Sequence, residues 1–227
     1  VAPRDFSTRL TRRGSRVGLF FTEELVEKLE TFYSLLFRWN QKINLTSIAD
    51  PDEAIDRLLL EPLLAVRHVP ASATRLMDIG SGGGSPAIPL KLALPHLHLT
   101  MVEAKVRKSA FLREASRQLG LTATEVETTR VEELLAQPQL HEAFDLISMR
   151  AVRIEIRMLN TTQAFLKPSG HVLLFRGPHG PAEPMVVPPL RWVDTHPLVE
   201  ALQSRATLLQ KRTIGAHVPR GTVRSEA

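Results

Sequence analysis

The chain has 227 residues, enough for one sizeable buried core and too few for two full-sized domains. Hydrophobic residues make up 43% and charged residues 23%, close to ordinary globular usage, which argues against a disordered, collagenous or coiled-coil chain. Cysteine is absent, so a disulfide framework, a cysteine-ligated zinc cluster and a cysteine nucleophile are excluded as well. The formal net charge of +5 is unevenly spread. Residues 1–18 carry five Arg against one acid, and residues 191–227 carry six bases against three acids, leaving a nearly neutral body. This reads as a basic N-terminal arm (1–18) and a basic C-terminal tail (213–227). Such ends suit a polyanionic partner such as RNA, or are only solvated tails. No stretch approaches the roughly 20 apolar residues of a membrane span, and the basic start leads into no apolar signal segment. The expectation is a cytoplasmic, monomeric protein with no membrane partner.

In chain order, Thr22 reads as a helix N-cap, with two glutamates in the first turn and Phe21 placed to staple onto Val26. The helix runs to about Trp39, and Leu25, Leu29, Phe32, Leu36 and Trp39 form one packing stripe. After a connector, Asp50-Pro51-Asp52-Glu53 opens a second helix: a cap, a proline in the first turn and an acid at the third position. Pro62 predicts a break or kink near Glu61. Residues 19–70 are therefore expected to form a helical cap on a core spanning 71–212.

From Arg75 the pattern turns into short apolar runs separated by helix-length segments, an α/β signature. Strands are expected at 75–79, 97–103, 122–127, 144–149 and 171–176, with two more at 191–194 and 205–212. Residues 105–119 read as a helix closed by Gly120, and residues 153–166 as a helix closed by Lys167-Pro168-Ser169-Gly170. Residues 177–189, with five Pro and two Gly, read as an irregular surface loop.

The chemistry concentrates where the first strand, Leu76-Met77-Asp78-Ile79, runs into Gly80-Ser81-Gly82-Gly83-Gly84-Ser85. Glycines here let a ligand approach the backbone closely. The spacing is Gly80-x-Gly82-x-Gly84, with Ser85 where a dinucleotide fingerprint would carry its third glycine. Asp78, read as lying at the mouth of the site, would oppose a pyrophosphate but can help place a cationic or neutral adenosyl ligand, which disfavours a nicotinamide cofactor. At the end of the second strand, Glu103 is placed to accept both hydroxyls of a ribose. The eight histidines show no metal-ligand spacing, so no metal is expected, and His96 and His98 read as ordinary surface residues.

These residues and the segments around them resemble the ribosomal RNA small subunit methyltransferase G family, also called the glucose-inhibited division protein B family. The resemblance covers roughly residues 20–212. It includes Trp39-Asn40-Gln41-Lys42-Ile43-Asn44-Leu45-Thr46, the loop from Asp78 to Leu90, Phe111-Leu112-Arg113-Glu114, and Arg130-Val131-Glu132-Glu133. Phe144-Asp145, Ser148-Met149-Arg150-Ala151 and Leu166-Lys167-Pro168-Ser169-Gly170 complete it. It implies a Rossmann-like class I methyltransferase sheet, mostly parallel with an antiparallel C-terminal strand, using S-adenosyl-L-methionine to methylate N7 of a guanine in 16S rRNA. On the matching positions it implies that Gly80 and Ser85 line the cofactor's methionine side and that Glu103 holds the ribose, with Asp78, Gly82 and Gly84 also among the cofactor-binding residues. Val131 and Glu132 would flank the adenine, Glu132 being alternatively a first-turn helix acid. Arg150 would face the cofactor or the incoming base, and Arg57 and Arg176 the substrate. The partner would be 16S rRNA or the small ribosomal subunit.

The chain departs from the family pattern at Leu58, Glu61 and Pro62 in the second helix, at Ser85 and Ala87 in the loop, and at Arg176, where a lysine is usual. These changes lie on the cap and the rim and so bear on substrate recognition more than on cofactor binding. Guanine N7 has an in-plane lone pair and no proton, so attack on a sulfonium methyl needs alignment and charge control rather than a general base. The alternatives are methylation of another RNA or a small molecule, and an RNA- or ribosome-binding protein that keeps the fold without turnover.

Overall fold

The computed structural model describes residues 3–150, 155–179 and 186–213. The first four strands, β1 (Arg75–Ile79), β2 (His98–Val102), β3 (Thr124–Glu127) and β4 (Phe144–Arg150), are joined by β5 (Leu166–Arg176), β6 (Leu190–Pro197) and β7 (Arg205–Lys211). They form one seven-stranded sheet in the order β3-β2-β1-β4-β5-β7-β6. β1 to β5 pair in parallel, and β7 pairs antiparallel with both β5 and β6. All seven strands expected from the sequence are present. The expected turn Lys167-Pro168-Ser169-Gly170 is instead absorbed into β5: the register with β4 jumps between Phe144 and Leu146, and Ser169 adopts φ +63°. A bulge of this kind lets one strand carry extra residues without breaking the ladder.

Successive side chains of a strand point to opposite faces, and both faces of this sheet are apolar. Leu76, Leu99 and Leu146 pack into one core with the N-terminal helices, α5 (Ala87–Ala93) and α6 (Val106–Gln118). Met77, Ile79 and Ile147 pack into the other with α7 (Ile156–Phe165). The first two residues of the helix expected at 153–166, residues 180–185 of the proline-rich loop and residues 214–227 of the C-terminal tail lie outside the described residues.

The cap begins earlier than the sequence suggests. Pro3–Arg16 is a helix, α1, rather than an arm, and it buries Phe6 and Leu10 against α2 (Glu23–Asn40). The Phe6 and Tyr33 rings stand 4.8 Å apart. Two of its five arginines are consumed internally. Arg13 forks onto both carboxylate oxygens of Asp56 (2.7 and 2.5 Å) and reaches Asp52 at 2.9 Å, while Arg9 bonds Asp52 at 3.0 Å and Asp5 at 2.9 Å. Acids 43 positions away answer the charge that looked surplus in the sequence.

The second cap helix starts as read, with Asp50 Oδ1 accepting from the Glu53 amide at 2.7 Å. It runs as α3 (Pro51–Ile55), opens into a wide π-turn over Asp56–Leu60, and closes again as α4 (Glu61–Ala65). The cause is Pro62. It has no N–H to return to the carbonyl of Leu58 four residues back, and its ring crowds that turn. The carbonyls of Arg57 and Leu58 are thereby left for partners outside the helix: Arg150 donates to the first, and Ser85 Oγ donates to the second at 2.8 Å.

Because Asp56 is buried, Arg13→Ala should strand its charge and cost about 3 kcal/mol in denaturant-melt stability. Arg13→Met/Asp56→Leu, which removes both charges at similar volume, should recover most of that loss. A wild-type melt for Arg13→Ala would show that α1 does not dock through this pair.

Candidate functional site

Strand order reverses between β1 and β4, and in open α/β sheets the crevice at the carboxyl ends of the strands flanking such a point receives the ligand. The glycine turn leaves β1 here. The amides of Gly80 and Ser81 both reach back to Val102 O (2.9 and 3.1 Å), and Gly84 N–H bonds Ser81 O at 2.7 Å. Gly82 and Gly84 hold φ of +51° and +82°. A Cβ on Gly84 would strike Ile88 at 2.7 Å, so that glycine serves packing. One on Gly82 would meet nothing closer than Gly80 O at 3.6 Å, so its bare face is left to the cavity.

Glu103, one residue beyond β2, fixes this turn: Oε2 accepts from the Gly82 amide at 2.9 Å and Oε1 from the Lys105 amide at 2.8 Å. Each oxygen retains a further lone pair. The cavity in front measures about 500 Å³, within the range of small-molecule sites. Its walls come from the turn (Gly80, Gly82, Gly83, Ser85), Glu103, Lys108, the 45–48 segment, the opened cap helix (Arg57, Leu58, Glu61), and Arg150, Phe175 and Arg176.

Two buried acids set the field. Asp78 is 1% exposed and accepts from Ser148 Oγ at 2.5 Å, while its Oδ2 has no protein partner. Burial pushes its pKa up to about 6 despite the bonds from Ser148 and Ser81 and the charge of Arg150. Glu61 faces Arg150 at 2.9 Å, and its Oε1 is buried without a partner. Burial raises Glu61 above the usual carboxylate range, opposed by Arg150, and burial also lowers Arg150, opposed by Glu61 and Asp78. The guanidinium lies 4.7 Å over the Phe175 ring, and its contact with Glu61 is a charge pair off the hydrogen-bond line.

The structure brings Gly80, Gly82, Ser85, Glu103, Arg57, Arg150 and Arg176 to one cavity. Asp78 is not at its mouth: it lies buried beneath the turn, because its strand position pairs it with Ser148. Gly84 packs against the cap. Val131 is buried in the second core and Glu132 lines a separate depression with Arg130 and Arg157, so neither is among the cavity walls. Arg57 is engaged by Glu53 at 2.7 Å, and Arg176 bonds Thr207 at 3.4 Å. Glu61 and Lys108 were missed as site residues. The break signalled by Pro62 marked the turn beside which Glu61 lines the cavity. Lys108 carried no signal beyond its place in the first turn of α6. No group of His, Asp and Glu placed to hold a metal occurs among the described residues, and no helix among them is long and apolar enough to cross a membrane.

The sheet order, the glycine turn and the carboxylate after β2 define a Rossmann-like class I methyltransferase fold. A SAM-dependent methyltransferase from Aquifex aeolicus shares it, with a TM-score of 0.54 at 13% identity over 72% of this chain and 94% of that one. TrmN from Thermus thermophilus aligns with a TM-score of 0.50 at 18% identity, over 66% and 48%. The sequence model of the rRNA small subunit methyltransferase G family matches residues 25–186, and the chain belongs to that family. Relatives bearing the name ribosomal RNA small subunit methyltransferase G include those of Xylella fastidiosa and Sorangium cellulosum. They are 38% identical (76% of this chain, 79% of the relative) and 37% identical (77% and 72%). That of Halorhodospira halophila is 35% identical over 82% and 88%.

The raised pKa of Asp78 has a stability consequence. Its proton is held more tightly in the folded than in the unfolded chain, so its favourable contribution is full below pH 4 and is lost as pH rises through about 6. Asp78→Asn should remove that dependence, gaining up to about 3 kcal/mol relative to wild type between pH 4 and pH 7. Parallel stability profiles for the two proteins would show that Asp78 titrates normally.

Proposed function

We propose that the protein transfers a methyl group from S-adenosyl-L-methionine to N7 of a guanine in 16S rRNA, acting as a cytoplasmic monomer on the rRNA or the small ribosomal subunit. The observation that carries this reading is the Glu103-pinned glycine turn at the switch point, in a chain of the small subunit methyltransferase G family. The residues present fit such a cofactor. The bare face of Gly82 gives backbone access, Glu103 has lone pairs left for ribose hydroxyls, and the orphaned Oδ2 of Asp78 places latent negative charge beneath the turn. Bound S-adenosylmethionine would supply an electrophilic methyl on a sulfonium, which a ring nitrogen with a free lone pair accepts without giving up a proton.

The protein's own part is placement and electrostatics. Asp78, Glu61 and Glu103 make the floor acidic, which favours a cationic cofactor, while Arg150 counterbalances the two buried acids. Lys108, Arg57, Arg150 and Arg176 bring cations to the walls, where an RNA substrate presents phosphates. Among the described residues no histidine lines the cavity.

Tritium transfer from labelled S-adenosylmethionine to 16S rRNA and to intact subunits, followed by mapping of the modified base, tests the reading. Label at a guanine N7 is expected. Label at another atom or in a small molecule would redirect the substrate, and cofactor binding without transfer would identify a binding protein. In calorimetry, Glu103→Ala should weaken S-adenosylmethionine binding on the order of 10–100-fold, the value of a charge-assisted bond plus the lost anchor of Gly82. Unchanged affinity would remove Glu103 from the site.

A further inference from the structure

A second concentration of positive charge lies outside the cavity, in the groove between the end of α2 and the start of α6. Its lining is Arg38, Trp39, Lys42, Ile43, Arg107 and Ala110, with no acid among them. Arg38, Lys42 and Arg107 are exposed, and among the described residues their side chains make neither ion pair nor hydrogen bond. Four other cations differ. On α1, α2 and α6 the cations Arg9, Arg13, Lys28 and Arg117 are each held by a carboxylate.

Two further features indicate an anionic occupant with flat rings. α6 opens with Lys105, Arg107 and Lys108 and has no acid in its first turn, although the positive end of a helix favours acids there. Repulsion among these charges is relieved by a bound polyanion. Trp39 meets the Phe111 ring edge-on at 5.8 Å, and its remaining surface lines the groove beside Ile43. An indole of this kind, flanked by cations, suits an unstacked base whose phosphates are held on either side. The groove lies beside the chemistry: Arg107 lines it, and the next residue, Lys108, lines the main cavity.

We infer that the α2–α6 groove docks the phosphodiester backbone of a single-stranded segment of the substrate RNA, with Arg38, Lys42 and Arg107 on phosphates and Trp39 beneath a base. The inference rests on the proposed rRNA methyltransferase activity and deepens it.

The test compares two variants that each remove two positive charges from the same pair of helices. Arg38→Gln/Arg107→Gln removes two of the groove's three cations, whereas Lys28→Gln/Arg117→Gln removes cations already paired with carboxylates. Binding of a 16S rRNA transcript is measured across a salt series, and S-adenosylmethionine binding by calorimetry serves as a folding control. The groove variant should bind RNA on the order of tenfold more weakly near 0.1 M salt. Its slope of log affinity against log salt should flatten by roughly 1.5. Its cofactor affinity should match wild type, and the control variant should follow wild type throughout. Trp39→Leu should weaken RNA binding while leaving the slope alone. Equal losses in the two charge variants, or none in the groove variant, would overturn the inference while leaving the proposed activity standing if wild type still methylates the RNA. Failure of wild type to bind or methylate it would remove both. Sensitivity to a polyglutamate peptide but not to RNA would assign the groove to an acidic protein and likewise overturn it.

Discussion

A single missing hydrogen-bond donor organises the junction on which the site depends. Pro62 cannot return an N–H to Leu58, and the helix opens into a π-turn just ahead of it. The freed carbonyls of Arg57 and Leu58 face the sheet rather than their own helix. Arg150, at the end of β4, takes one, and Ser85, at the end of the glycine turn, takes the other. The cap is thereby bonded to both strands that flank the switch point. Without that opening, Glu61 would have no reason to face Arg150, and the cavity would lose one wall.

Charge is arranged in the same economical way. The acids cluster under the turn and the cations on the walls, so a positively charged cofactor and a negatively charged polymer can approach one cavity from different sides. Two of the buried acids are only partly answered: Asp78 and Glu61 both keep an oxygen without a protein partner. In a site of low polarity such groups hold a strong field ready for a ligand, and their raised pKa values register the cost of holding it. Meanwhile α1 shows that a basic composition need not mean a basic surface, since two of its arginines are spent fastening the cap.

Much of this was legible in the sequence because it is local. The seven strands, the caps at Thr22 and Asp50, the glycine turn and Glu103 depend on neighbours a few residues away, and the structure places them near where spacing predicted, with β5 and β6 longer than expected. The features that escaped depend on distant partners. Residues 1–18 read as an arm because Asp52 and Asp56 are about 40 positions removed from Arg9 and Arg13. Asp78 read as a residue at the mouth because its burial comes from Ser148, 70 positions later. The resemblance carried Val131 and Glu132 toward the adenine, yet neither is among the cavity walls. Pro62 and Ser85 stood out separately as departures from the family pattern. In the fold they are two ends of one adjustment, the proline freeing the Leu58 carbonyl to which the serine hydroxyl donates.

That pairing makes the central claim measurable through a double-mutant cycle of Pro62→Ala and Ser85→Ala, read as denaturant-melt stability. With alanine at 62 the helix can close on Leu58, leaving the serine hydroxyl little to bond. Ser85→Ala alone should therefore cost about 1 kcal/mol, and in the Pro62→Ala background nearly nothing, giving a coupling of about 1 kcal/mol. Additive effects, agreeing within about 0.3 kcal/mol, would contradict the account and show that the cap and the glycine turn are held together by something else.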